Sequence, residues 1–301
     1  MRKFLMISTL LLSLIRGVWA IEPEAAQSYL PVVSALIKGN GNNFAQLLPE
    51  KAKLLTNFSA VRSDANLVFP EVDRFGNNIG FKNVSVKNSI AVIPLVGAVM
   101  KYDYCGDFGT KTLAQNFIQA QNNPNIIGII FLNDSPGGEV QFTGNLSDLI
   151  YSLSKPVVTY IEGYCCSASY WLGSPADEII ASYKTDVIGS IGTYCTLVDY
   201  SEQMKMEGIN LHEIYATKST EKNSIWKEAL NNNYEPLKKQ IIDPYNDAFH
   251  AGVKRNRYGK GLSNKVFAGG TYMTNDAINN GLIDGMGNFD YAIQRIQKLA
   301  A

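Results

Sequence analysis

The sequence predicts an α/β domain with stacked parallel strands and helices outside, and three observations predict it. Short continuous apolar runs recur at Ser89–Gly97, Ile126–Leu132 and Pro156–Ile161. Their length and β-branched content suit strands buried on both faces. Stretches of helical spacing stand between them, one over 111–122 with Leu113, Phe117 and Ile118, another with Val140, Leu146, Leu149 and Ile150. Finally, the runs ending at Leu132 and Ile161 both give way to turn-forming sequence. This puts the two loops at one sheet edge, where α/β proteins build their sites.

The chain has 301 residues, enough for one large domain with an N-terminal appendage and a sizeable core. Twenty-seven basic residues balance 27 acidic ones and no basic block occurs, so nothing points to nucleic acid. The four cysteines are too few for a disulfide framework at this length, and Cys165 and Cys166 are adjacent, which disfavours their pairing. A reduced compartment is the default that follows. No metal or cofactor motif is present, and none is expected.

Residues 1–20 combine a basic start, Met1-Arg2-Lys3, with an apolar run from Phe4 to Ile15 and a small-residue site at Val18-Trp19-Ala20. That is the pattern of a secretory signal peptide, too short to span a bilayer comfortably. Arg16 interrupts the run, so two readings stand side by side. One is export, or membrane association through residues 4–15. The other is an uncleaved segment on a chain of the cytoplasm or an assembling capsid. Residues 24–56 are expected to be helical, with Ala25, Tyr29, Leu30, Val33, Leu36 and Ile37 at helical spacing and Gly39–Asn43 as a stop. A second short helix is expected at 44–54. Residues 57–87 read as a linker or oligomer-contact arm. The expected division is therefore an apolar segment over 1–20, a mostly helical appendage and linker over 21–87, and a main domain over 88–301.

Two stretches carry chemistry. Gly163-Tyr164-Cys165-Cys166-Ser167-Ala168-Ser169-Tyr170-Trp171 follows one apolar run and can begin a helix. A serine at such a junction meets the free N–H groups of a first helical turn. The bland reading is a helix cap. Asn133-Asp134-Ser135-Pro136-Gly137-Gly138 closes the other run. Its proline sets a turn, and its glycines allow close approach or positive φ. Such a turn can aim a backbone N–H at a developing oxyanion, each donor contributing about 3–4 kcal/mol. An ordinary strand-to-helix turn is the alternative.

Taken together, Asn-x-Ser-Pro-Gly-Gly and the later Ser-Ala-Ser-Tyr-Trp element resemble the signal peptide peptidase A family. Ala176–Ala181, Val187–Gly192 and Gly281–Gly285 match the family in its order, so the resemblance covers about residues 88–297. The Ser-Ala-Ser-Tyr-Trp-Leu form is closer to its phage prohead-protease branch. The resemblance implies a Clp-protease/crotonase-like fold of stacked ββα units. It also implies a Ser/Lys serine peptidase, homo-oligomeric, acting on extended peptide or protein substrates in capsid maturation or signal-peptide degradation. Aligning the aromatic pair puts the nucleophile at Ser167, with Ser169 as the competing choice. Ala168 with Gly137 or Gly138 would then supply the oxyanion amides.

Only two histidines exist, and none lies between Tyr170 and Leu211, so a Clp-type triad is disfavoured. His212, ahead of a strand expected at Glu213-Ile214-Tyr215, and His250, in a long helical region from about Ser224 to Tyr258, are read as surface or packing residues. The family then implies a lysine base. A sheltered lysine in that role must come down from about 10.4 toward neutrality, about 4–5 kcal/mol. The segment Thr217-Lys218-Ser219-Thr220-Glu221-Lys222 departs from the family turn. Lys222 is preferred there, Lys218 is the alternative, and a surface lysine is the bland reading of either. Cys166 is read as a buried structural thiol. A non-catalytic assembly protein with this fold and a crotonase-type acyl-CoA enzyme are the competing functions.

Overall fold

The computed structural model describes residues 19–21, 65–73, 77–103, 107–199 and 201–301. The expected helices over 24–56 and the segment 1–18 lie outside these residues.

The strands in chain order are β1 (Trp19–Ile21), β2 (Asn66–Val68), β3 (Glu71–Val72), β4 (Asn78–Gly80), β5 (Ser89–Val96) and β6 (Ile126–Ser135). There follow β7 (Gly137–Glu139), β8 (Val157–Cys166), β9 (Glu178–Ala181), β10 (Val187–Gly189), β11 (Thr271–Met273) and β12 (Gly285–Met286). An eight-stranded sheet runs β11-β10-β8-β6-β5-β2, and β8 also pairs with β9, which pairs with β12. All its described ladders are parallel except β10 with β11. The α/β expectation holds. The stretch 57–87, expected as linker, is in part structured: β2 lies beside β5 in the main sheet, so ordered strand precedes the expected boundary at 88.

Helices cross between the parallel strands, as such connections require. These are α1 (Thr110–Asn122), α2 (Thr143–Tyr151) and α3 (Ala168–Gly173). Downstream lie α4 (Ser201–Met206), α5 (Ser224–Leu230), α6 (Glu235–Leu237), α7 (Asp243–Asn256), α8 (Thr274–Asn279) and α9 (Phe289–Ala300). A π-helical turn at Lys238–Ile242 joins α6 to α7, so the long helical region is broken only near Asn231–Tyr234.

Both faces of the central strands are buried, which is why they read as unbroken apolar runs. Along β6, Ile129 and Phe131 face Leu113, Phe117, Leu146 and Trp171, the side covered by α1–α3. Ile130 and Leu132 face the other way, toward Ala292, Ile293 and Ile296 of α9. This is the two-residue period of a strand with an apolar layer on each side.

Beyond β10 the expected strand at Glu213–Tyr215 is not formed. That stretch has no ladder partner among the described residues, and Ile214 is 93% exposed. The outer edge of β10 is taken instead by β11, from the C-terminal part of the chain.

Candidate active site

The Pro-Gly-Gly turn and the Ser167 junction meet because their strands are in register. Ser135, at the end of β6, lies opposite Cys165 near the end of β8. Ser167 follows β8 directly and precedes α3, with φ 57° and ψ −122°. A residue with a side chain takes positive φ only under constraint, and a sharp strand-to-helix elbow is where catalytic hydroxyls are held this way. The constraint is visible. Ser167 N–H donates to the Gly189 carbonyl at 2.7 Å, and its own carbonyl accepts from Trp171 at 3.0 Å. Its hydroxyl is fully buried and donates to the Gly192 carbonyl at 3.4 Å.

Ser169 sits differently. Its hydroxyl donates to the Asn133 side-chain oxygen and faces the Cys165 sulfur at 3.8 Å, which uses it in packing. The rest of α3 is clamped. Trp171 stacks on Phe249 of α7 with centroids 4.8 Å apart, and the Tyr170 hydroxyl donates to the Leu282 carbonyl at 2.7 Å. Carbonyls at its C-terminal end accept from Ser147, Ser174 and Thr159. The Leu282 turn is itself anchored by Asp284, which receives the buried Arg257 guanidinium at 2.9 Å, Lys260 at 2.8 Å and the Ile179 amide at 2.8 Å. Burial pushes the Asp284 carboxyl up, but Arg257 and Lys260 together hold it below its ordinary value.

The two glycines do separate jobs. Gly137 has φ 98°, a conformation closed to side chains. At Gly138 a Cβ would lie 2.1 Å from the Val99 carbonyl oxygen, so only glycine lets that backbone pass. Gly137 N–H already faces the Ser135 hydroxyl at 3.2 Å. On the Val99 side, the Val99 amide donates to Gly137 and the Glu139 amide to Val99, each at 2.8 Å. Successive residues of a strand point their polar groups to opposite edges, so Gly138 N–H faces the other way. Ala168 N–H belongs to the first turn of α3, which has no intrahelical acceptor.

Among the described residues, no lysine hydrogen-bonds the Ser167 hydroxyl. Lys218 and Lys222 are exposed. Lys222 lines a cleft of about 440 Å³ with Tyr215, Thr217, Ser219, Thr220 and Lys227. Cys166 is a buried thiol that donates to the Val187 carbonyl at 3.3 Å. Burial pushes the Cys165 thiol up to about 12, so it is inert at neutral pH. His212 is exposed, while His250 packs on the Phe267 ring at 4.9 Å and hydrogen-bonds the Ile191 backbone beside Gly192. Near the site, sequence reasoning missed β7. A three-residue Gly-Gly-Glu strand carries no periodicity, and only its position after the Ser-Pro turn could have suggested it.

A serine at a strand-to-helix elbow, on a parallel α/β sheet, is an arrangement that serine-hydrolase sites use. The chain belongs to Peptidase family S49, whose model matches residues 151–301. It is 31% identical over 182 residues to a putative protease of Methanocaldococcus jannaschii, covering 60% of this chain and 58% of that one. It is 25% identical over 302 residues to protease 4 of Haemophilus influenzae, covering 93% and 47%. Over 142 residues it is 28% identical to capsid assembly protease C of Escherichia phage lambda, covering 45% and 32%. The chain thus spans between about a third and three fifths of the length of these relatives.

Proposed function

We propose that the chain is a serine endopeptidase whose nucleophile is Ser167, with Gly138 and Ala168 amides as oxyanion donors and Lys222 as base. The observation that carries this reading is the backbone of Ser167, held at positive φ where β8 turns into α3. Ser169 is tied into packing, which favours Ser167 over it. Gly137 N–H is engaged by Ser135, which favours Gly138 as the donor. Names among the relatives, protease 4 on one side and capsid assembly protease on the other, leave both family settings in view.

In the reaction the neutral lysine takes the serine proton as Oγ bonds to a peptide carbonyl carbon. The oxyanion settles between the two amides. The C–N bond breaks, the lysine returns the proton to the leaving amine, and water releases the acyl group. Among the described residues the Ser167 hydroxyl has a carbonyl as its hydrogen-bond partner, so on this reading the base approaches it in the working form. The arm 207–223 that carries both lysines exposes Ile209, Leu211 and Ile214, with Leu211 70% exposed. An apolar arm of that kind suits contact with a second copy, and we infer a homo-oligomer in which the arm docks and brings its lysine to a site. The peptidase unit on this reading is 88–301 with β2 added, and its substrate is an extended peptide or protein strand.

A fluorophosphonate probe tests the assignment on the full chain. Labelling is expected for wild type, Ser169→Ala and Lys218→Ala, and lost for Ser167→Ala and Lys222→Ala. Labelling that survives in Ser167→Ala overturns the nucleophile. A fully reactive Lys222→Ala overturns the base.

A further inference from the structure

The edge of β7 that Gly138 faces is already occupied, and by the chain itself. β1 runs antiparallel to β7 with Trp19 opposite Glu139, Ala20 opposite Gly138 and Ile21 opposite Gly137. Because Val99 holds the other edge through Gly137 and Glu139, Gly138 directs both its N–H and its C=O toward Ala20. A bound peptide would have to lie along this same edge, since it carries the amide assigned to the oxyanion. The register therefore sets the Ala20 carbonyl where an attacked carbonyl would sit. The hydroxyl of Ser167 is fully buried, so an outside peptide finds neither the edge nor the nucleophile free.

We propose that Trp19–Ile21 is the site's built-in peptide, and that the Ala20–Ile21 bond is one the chain cleaves in itself. The proposal rests on the Ser/Lys reading above. Ser167 Oγ bonds to the Ala20 carbonyl carbon while the C–N bond to Ile21 breaks. The serine proton, passed through the base, leaves on the Ile21 amine. Water then releases the segment ending at Ala20 as a carboxylate and restores the hydroxyl. The products are a chain beginning at Ile21 and a β7 edge open to other peptides.

The test uses the full chain made in a reconstituted translation system that lacks membranes and signal peptidase, read by intact mass and N-terminal sequencing. A product starting at Ile21 is expected for wild type, reduced by about a thousandfold or to nothing in Ser167→Ala. Ile21→Pro, which replaces the amine of the proposed bond with an imide nitrogen, should stay full length, and because β1 then still covers Ser167 it should label with a fluorophosphonate far more slowly than the processed wild type. A wild-type chain that labels with the probe but keeps its N-terminus overturns this proposal alone. So does equal processing of Ser167→Ala. A wild-type chain that neither labels nor cleaves an added peptide overturns the peptidase reading, and this proposal with it.

Discussion

The Tyr170 hydroxyl donates to the Leu282 carbonyl across 112 positions of sequence, at 2.7 Å. It joins the helix that follows Ser167 to the Gly-Leu-Ile-Asp turn near the C-terminus. Two motifs that look independent in the sequence are thus one structural unit. Tyr170→Phe keeps the ring and leaves a buried carbonyl without its donor. It should lower stability by about 1–2 kcal/mol, measured by urea unfolding.

Gly138 presents a sharper case. A methyl group there would press on the Val99 backbone at 2.1 Å, so the strand must move and its amide with it. Gly138→Ala should reduce kcat on a peptide substrate by about 10²–10³, the effect of losing one oxyanion donor. Circular dichroism on the same sample separates this from unfolding. An unchanged kcat would remove Gly138 from the site.

Ser167 holds a conformation that glycine prefers and alanine does not. Both Ser167→Ala and Ser167→Gly should abolish probe labelling. Ser167→Gly should nevertheless be more stable than Ser167→Ala by about 1 kcal/mol, because only glycine relieves the positive φ. Paired thermal melts check this, and equal midpoints would argue that the elbow is unstrained.

Burial holds the His250 imidazole below its ordinary value, helped by Lys254 and opposed by the Ile191 backbone bond and Asp247. The unfolded chain then binds the proton more readily than the folded one. Stability should therefore fall as pH drops through the unfolded value of about 6.5, and stop falling once the folded histidine is also protonated. His250→Phe should flatten that part of the curve. Denaturant midpoints between about pH 7 and 5 measure the difference.

Much of this was legible beforehand, and particular residues show why. Ile126–Leu132 and Val157–Ile161 read as buried strands because both faces of each are covered by apolar layers. The Ser-Pro-Gly-Gly turn was legible because one glycine needs a positive φ and the next needs no side chain. The pairing of β1 with β7 was not, since a ladder between residues 118 apart leaves no local trace. The strand expected at Glu213–Tyr215 failed for a related reason. Its composition suits a strand, but strands need a neighbour, and β11 had already taken the available edge. Nor could spacing alone choose between Lys218 and Lys222, since both sit in one exposed turn-rich stretch.

β8 changes company part way along. Val158–Ile161 pair with β9, whereas Tyr164–Cys166 pair with β10, and Gly163 at φ 112° stands between. Past this strand the sheet is two narrow branches rather than one wide floor. The change of partner just before Ser167 is thus a product of hydrogen-bond pairing and needs no loop to shape it. That point tolerates no bulk: a Cβ on Gly163 would meet the Asp134 carboxylate at 2.7 Å. The smallest residue in the strand therefore stands where β8 passes from one partner to the other, against the Asp134 carboxylate of β6.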